Sequence, residues 1–124
     1  MTVIMFQPQF APKVLDGSKP HTIRPERKRP IGVGDLLSLR RWSGAPYRSK
    51  QIVLREAVCT KVVPCRVSWS DTGRPLMLGD EVLSPTLAKL YAIADGFDGV
   101  EQLMGWFEIV HGLPFHGVLI GWAL

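Results

Sequence analysis

The hydrophobic pattern changes period once along the chain, near residue 84. Before that point apolar residues come in short blocks or alternate with polar ones, which is the spacing of strands. Thr2 to Phe6 is apolar and ended by Gln7 and Pro8, as suits a buried strand. Phe10 to Leu15 reads as a short helix, with Pro12 tolerated in its first turn and Gly17 as its stop. Pro20 and Pro25 hold the residues before them out of helix, so Thr22 to Arg24 runs extended. A charged loop, Glu26 to Pro30, and a turn, Gly32 to Asp35, lead to a strand over Leu36 to Trp42, where Leu37 and Leu39 alternate with Ser38 and Arg40. Gln51 to Trp69 is rich in β-branched residues and long enough for two strands, with Pro64 marking a break or an edge position. A turn over Asp71 to Pro75 and a short strand within Leu76 to Leu83 follow.

Beyond residue 84 the period is helical. Ser84 is a good N-cap with Pro85 at the first helical position, which predicts a helix over residues 84–94. Asp98 and Glu101 have capping-box spacing and predict a second helix over 99–111, ended by Gly112. Its Leu103, Trp106, Phe107 and Val110 share one apolar face. Phe115 to Leu124 then reads as a closing strand. Strand, helix, several strands, two helices and a strand make an α+β fold, expected as a small, mostly antiparallel β-barrel with flanking helices. The pattern does not fix which strands pair.

A length of 124 residues suits one domain, 1–124, and 46% apolar with 21% charged residues is ordinary for a globular chain. No stretch approaches the ~20 apolar residues that span a bilayer. Met1 to Gln9 lacks a positive region followed by a long apolar run, so a cytoplasmic location without membrane association is expected. Cys59 and Cys65 lie too far apart along a strand to bridge unless the chain reverses at Pro64, and reduced thiols are expected. With no CxxC, no HExxH and no His–carboxylate cluster, neither a metal nor another cofactor is expected.

Charge adds a direction. Residues 13–66 hold thirteen Lys or Arg against four acids, whereas 67–124 hold two against seven. The first half can therefore draw phosphates, or it is an ordinary solvated basic surface. Arg27, Lys28, Arg29, Arg40, Arg41, Arg48 and Lys50 would supply sequence-independent phosphate contacts if they share a face. Trp42 and Tyr47 lie among them and can stack bases, unless Trp42 is core. Gly32-Val33-Gly34 lacks the third glycine and the following helix of a dinucleotide loop, which excludes that class.

Gly17-Ser18-Lys19-Pro20-His21-Thr22-Ile23-Arg24, followed by Gly34-Asp35, resembles the signature of ASCH domains, in which G-x-K-T-x-T-x-R leads to a Gly-Asp before a strand. Asp95-Gly96-Phe97 with Glu101, Leu103, Trp106 and Phe107 is similar to the C-terminal helix pair of the same family. The two motifs keep the family's order, although Ser43 to Leu83 adds little to the likeness. The resemblance implies a PUA-like barrel with a cleft between barrel and helices, in a superfamily associated with RNA binding. One branch of the family removes the acetyl group from 4-acetylcytidine using Lys, Thr and Glu, and by this resemblance the roles fall on Lys19, Thr22 and Asp95. Pro20 stands where the signature has its first Thr, and Asp95 where the branch has Glu. Other members are nucleic-acid binders with ribonuclease activity, so the family alone does not select a reaction.

Alternation along an extended segment puts Thr22 and Arg24 on one face and His21 and Ile23 on the other. Thr22 and Arg24 can then face a cleft, with Lys19 at the bend leading in. Arg24 offers a planar fork for a phosphate or a base edge, or else braces the barrel through Asp35 or Asp95. Thr22 is a nucleophile only if a base takes its proton, and Lys19 serves as that base only with a lowered pKa, which a charge-holding Asp95 opposes. His21 beside Lys19 suggests a ribonuclease, a role that needs a second acid or base. His111 reads as a helix-end cation and His116 as a strand residue. The expectation is a module binding RNA or a modified nucleoside, with Lys19, Thr22 and Asp95 at its centre. Arg24, His21, Arg27, Lys28, Arg29, Arg40 and Trp42 complete the expected ligand contacts. The competing expectations are an amidohydrolase acting on 4-acetylcytidine-type nucleosides, a ribonuclease, and a protein-binding adaptor.

Overall fold

The longest element organises the rest. In a computed structural model, which describes residues 1–69 and 74–123, Gln51–Val67 forms one strand of 17 residues, β4. The preceding elements are β1 (Thr2–Met5), α1 (Ala11–Asp16), β2 (His21–Arg24) and β3 (Leu36–Trp42). After β4 come β5 (Leu76–Leu78), β6 (Glu81–Val82), α2 (Pro85–Ala94), α3 (Val100–Val110) and β7 (Phe115–Trp122). The N-terminal half of β4 pairs with β3, and its C-terminal half pairs with β7 on one side and β5 on the other. The register shifts at Leu39/Arg40 and at Cys59/Lys61 are irregularities of the kind that bend a strand, which lets β4 serve both halves of a curved sheet. The expected two strands are thus one. Pro64 does not break it because Gly79 donates to the Pro64 carbonyl where the β5 ladder ends, so the missing N–H deprives no ladder partner.

The fold is α+β with a mixed seven-stranded sheet and three helices. Most pairs are antiparallel, but β1 runs parallel to β3. The described ladders do not close into a ring, since β1 pairs only with β3, and β2 only with β7. Two guanidiniums link these edges instead. Arg24 Nη2 donates to Met5 O at 2.7 Å, and Arg27 Nη2 to Val3 O at 2.8 Å, which satisfies alternate carbonyls on the free edge of β1.

The helix signals translate with small corrections. Ser84 Oγ accepts from Leu87 N and caps α2 as its sequence indicates. The expected capping box of Asp98 and Glu101 does not form. Gly99 is the N-cap of α3, so the third helical position falls on Gln102, whose Oε1 accepts from Asp98 N at 2.6 Å. Leu103 and Phe107 are buried as expected, whereas Trp106 is half-buried and Val110 is exposed. Leu76 to Leu83 holds a two-strand hairpin rather than one strand. The turn read at Asp71 to Pro75 lies mostly outside the described residues. Cys59 and Cys65 are free and buried, and burial pushes the Cys65 thiol up to about 12, with the charge of Asp95 adding to it. Among the described residues no helix is long and apolar enough to cross a membrane.

The core runs continuously between sheet and helices, from Ile4, Leu37 and Leu39 through Val14 and Ala92 to Leu103, Phe107 and Leu119. At Gly117 in β7 the packing leaves no room for a side chain. A Cβ there would overlap the Arg24 carbonyl oxygen and lie 2.7 Å from Phe115 Cζ. Gly105 in α3 is the opposite case, with nothing within 4 Å of a Cβ. Gly117→Ala is therefore expected to cost about 1–3 kcal/mol by displacing β2, and Gly105→Ala to gain about 0.5–1 kcal/mol from helix propensity. Urea midpoints at unchanged slope measure both, and a neutral Gly117→Ala would contradict the packing described.

Candidate functional site

Between β2 and the helices lies a partly open cavity of about 210 Å³. Its walls come from three places distant in sequence. These are Met5 to Gln7 with Phe10, Lys19 with Thr22 to Pro25, and Asp95 and Phe97 with one face of α3 from Trp106 to His111.

Lys19 reaches the cavity because α1 ends sharply. Gly17 adopts a left-handed φ of 86°, and Lys19 N donates back to Lys13 O. The side chain then turns inward and only 2% of the residue is exposed. Its Nζ donates to Asp95 Oδ1 at 2.9 Å and to Asp95 O at 2.5 Å, with the rings of Phe6 and Phe10 at 5.8 and 5.2 Å. Asp95 is the C-cap of α2, so the ammonium meets a carboxylate and the negative end of a helix together. Gly96 holds the chain in a left-handed turn after Asp95, where a Cβ would come 2.8 Å from Phe10. Lys13 Nζ donates to Gly96 O at 2.7 Å, a second cation on the same helix end. Burial lowers the Lys19 pKa, and the charge and hydrogen bond of Asp95 oppose that shift.

Thr22 and Arg24 form the opposite wall, on one face of β2 as alternation requires. Arg24 Nε donates to Thr22 Oγ1 at 3.0 Å, and the guanidinium lies 4.9 Å from the Phe6 ring centre. Arg24 pairs with neither Asp35 nor Asp95. Asp35 instead accepts from Gly32 N within its own turn. Burial pushes Arg24 down to about 10, against the pull of Asp95, and burial together with Arg24 lowers His111 across the cavity.

Counting donors gives the chemistry. Beyond the bonds described, Arg24 keeps three N–H groups, Lys19 keeps one, and the Thr22 hydroxyl keeps its hydrogen. Asp95 Oδ2 has no hydrogen-bond partner among the described residues. Two cations and one carboxylate thus face a space walled by Phe6, Phe10, Phe97 and Trp106. Such a space suits a planar ring with a polar edge. No hydrogen bond joins Lys19 Nζ to Thr22 Oγ1, and two of the three ammonium hydrogens are held by Asp95. Among the described residues no three His, Cys, Asp or Glu side chains gather as a metal site would require.

The structure gathers Lys19, Thr22, Arg24 and Asp95 at this cavity. The other residues proposed from sequence lie elsewhere. His21 is buried behind Asp95, with Nδ1 3.2 Å from its Oδ1, and does not line the cavity. Arg27 is tied to Val3, while Lys28 and Arg29 are exposed in the loop after β2. Arg40 is held by Ser38 Oγ and Gln51 Oε1, and Trp42 packs half-buried against Tyr47. Sequence reading missed Lys13, the aromatic wall and His111. The apolar face of α3 was legible, but not that its end would be left to a cavity. Comparisons of the chain with protein-family models, with curated proteins and with solved structures returned no match.

Proposed function

We propose that the chain is an ASCH-type domain on a PUA-like barrel that binds a nucleobase, as a nucleoside or within single-stranded RNA, in the cavity between β2 and α3. The observation that carries this reading is the Lys19 ammonium, held by Asp95 inside an aromatic-walled space beside the unspent donors of Arg24 and Thr22. Desolvated donors at fixed positions cost little further ordering when a ligand arrives. At about 210 Å³ the space is below the ~300–1,000 Å³ of pockets for drug-sized ligands, and a single base with part of its sugar is of the right scale. The exposed Lys28 and Arg29 beyond the Arg24 end of β2 would follow the backbone of an RNA strand.

The hydrolase reading draws on the same side chains. It is favoured by the lowered Lys19 pKa and by the Arg24 bond that fixes the Thr22 hydroxyl. Against it stand the two bonds that commit Lys19 to Asp95, so binding is the better-supported function.

In calorimetric titrations with cytidine, 4-acetylcytidine and a short cytidine-rich RNA, Lys19→Ala and Arg24→Ala are each expected to weaken binding by about tenfold or more. Thr22→Ala should weaken it less. Wild type is expected to release no acetate from 4-acetylcytidine; release abolished by Thr22→Ala would replace the binding function with the hydrolase. Failure of all three probes at low salt would remove the nucleobase reading. For the RNA, replacing Lys28 and Arg29 with Ala should lower the slope of log affinity against log salt by about 0.7 for each phosphate that is no longer neutralised, measured by fluorescence anisotropy. An unchanged slope would confine recognition to the cavity.

A further inference from the structure

His21 lies on the opposite face of β2 from Thr22 and Arg24, which takes it out of the cavity wall. There it is clasped by two residues one turn apart on α2, whose Asp95 N donates to Tyr91 O. The imidazole stacks on Tyr91 at 5.5 Å with 29° between planes, and its Nδ1 is 3.2 Å from Asp95 Oδ1. A carboxylate only accepts, so Nδ1 carries the hydrogen. Nε2 is buried without a partner, and a ring with its hydrogen on Nδ1 leaves a bare lone pair there rather than an unpaired N–H.

The surroundings fix this orientation. Gly121 lies opposite His21 on β7, and a Cβ there would come 3.3 Å from Lys61 Cβ and 3.9 Å from His21 Cβ. The glycine thus leaves room for the Lys61 stem beside His21. Lys61 Nζ donates to Tyr91 OH at 3.1 Å and sits 5.3 Å from the ring centre, covering the stack from outside.

We infer that His21 is a positioning residue that fixes the rotation of the Asp95 carboxylate, and so the direction in which its second oxygen points. Lys19 and His21 both bond Oδ1, which leaves Oδ2 without a partner among the described residues. Without His21 a single donor, Lys19, holds the carboxylate side chain, and its plane can turn so that the second oxygen no longer points in one direction. With His21 in place, Oδ2 is a fixed acceptor beside the donors of Lys19 and Arg24. Such a site selects a ring edge carrying an N–H donor next to an acceptor, as an amino-pyrimidine does. This selectivity rests on the nucleobase reading above, whereas the orientation of Asp95 does not.

The test compares wild type, His21→Asn, whose amide can replace the Nδ1 donor, and His21→Leu, which cannot. Cytidine and 4-N,N-dimethylcytidine, which lacks the N–H, are titrated calorimetrically into each protein. Wild type and His21→Asn are expected to prefer cytidine by about tenfold, and His21→Leu by under about threefold. Nitrogen-15 NMR of wild type is expected to find the hydrogen on Nδ1. A full preference in His21→Leu, or a hydrogen on Nε2 with none on Nδ1 in wild type, overturns the inference. If wild type binds neither nucleoside, the nucleobase reading fails and crystal structures of the three proteins decide the orientation of Asp95. An Asp95 carboxylate torsion that is kept in His21→Asn and changed in His21→Leu upholds it, and an unchanged torsion in His21→Leu overturns it.

Discussion

A lysine ammonium taken out of water loses its hydration, and the protein must return comparable contacts or release the charge. Lys19 receives a carboxylate oxygen, the terminal carbonyl of α2 and two aromatic faces. The pair also ties together segments that no backbone ladder joins. Lys19 belongs to the bend between α1 and β2, and Asp95 to the turn between α2 and α3. Lys13 on Gly96 O repeats the tie one residue on. The position of the helices over the sheet, and with it the cavity, depends on this junction.

The same junction accounts for the polarity of the site. Aromatic rings exclude water from one side of the pair, which strengthens its electrostatics and fixes its geometry. Arg24 plays a matching part on the far wall, bridging Thr22 and the edge of β1 while its remaining donors stay free. The ion pair and the guanidinium bridge therefore act both as fasteners and as candidate ligand contacts. Substitutions there will change stability and binding together, so controls for folding accompany any loss of affinity.

Much of this was legible in the sequence, for identifiable reasons. Ser84-Pro85, Gly17 and the proline-flanked segment around Thr22 are local signals, and the elements they mark form where they indicate. The Lys19, Thr22, Arg24 and Asp95 set came chiefly from the resemblance to a family signature, and the four line one cavity. What failed was long-range or depended on a one-residue register. Pro64 read as a break or an edge position, and the sequence does not tell which; the chain does not break, and the missing N–H faces the side where the β5 ladder ends. The α3 cap moved to Gly99 and transferred the capping-box position from Glu101 to Gln102. Arg27 read as a phosphate ligand, and the sequence did not show that one of its donors goes to the edge of β1 that no described ladder covers. The partnership of His21 with Asp95 spans 74 positions and had no local signature.

The claim that the buried pair fastens the helices to the sheet is tested most directly by a double-mutant cycle on Lys19→Met and Asp95→Asn, measured by urea unfolding. Each single substitution is predicted to cost about 3–5 kcal/mol, because it strands the other partner's charge or polar group in the interior. The double variant is predicted to cost less than the sum of the two, by about 2 kcal/mol or more. Single costs that add to within about 0.5 kcal/mol would mean that Lys19 and Asp95 do not depend on one another, and would contradict the account.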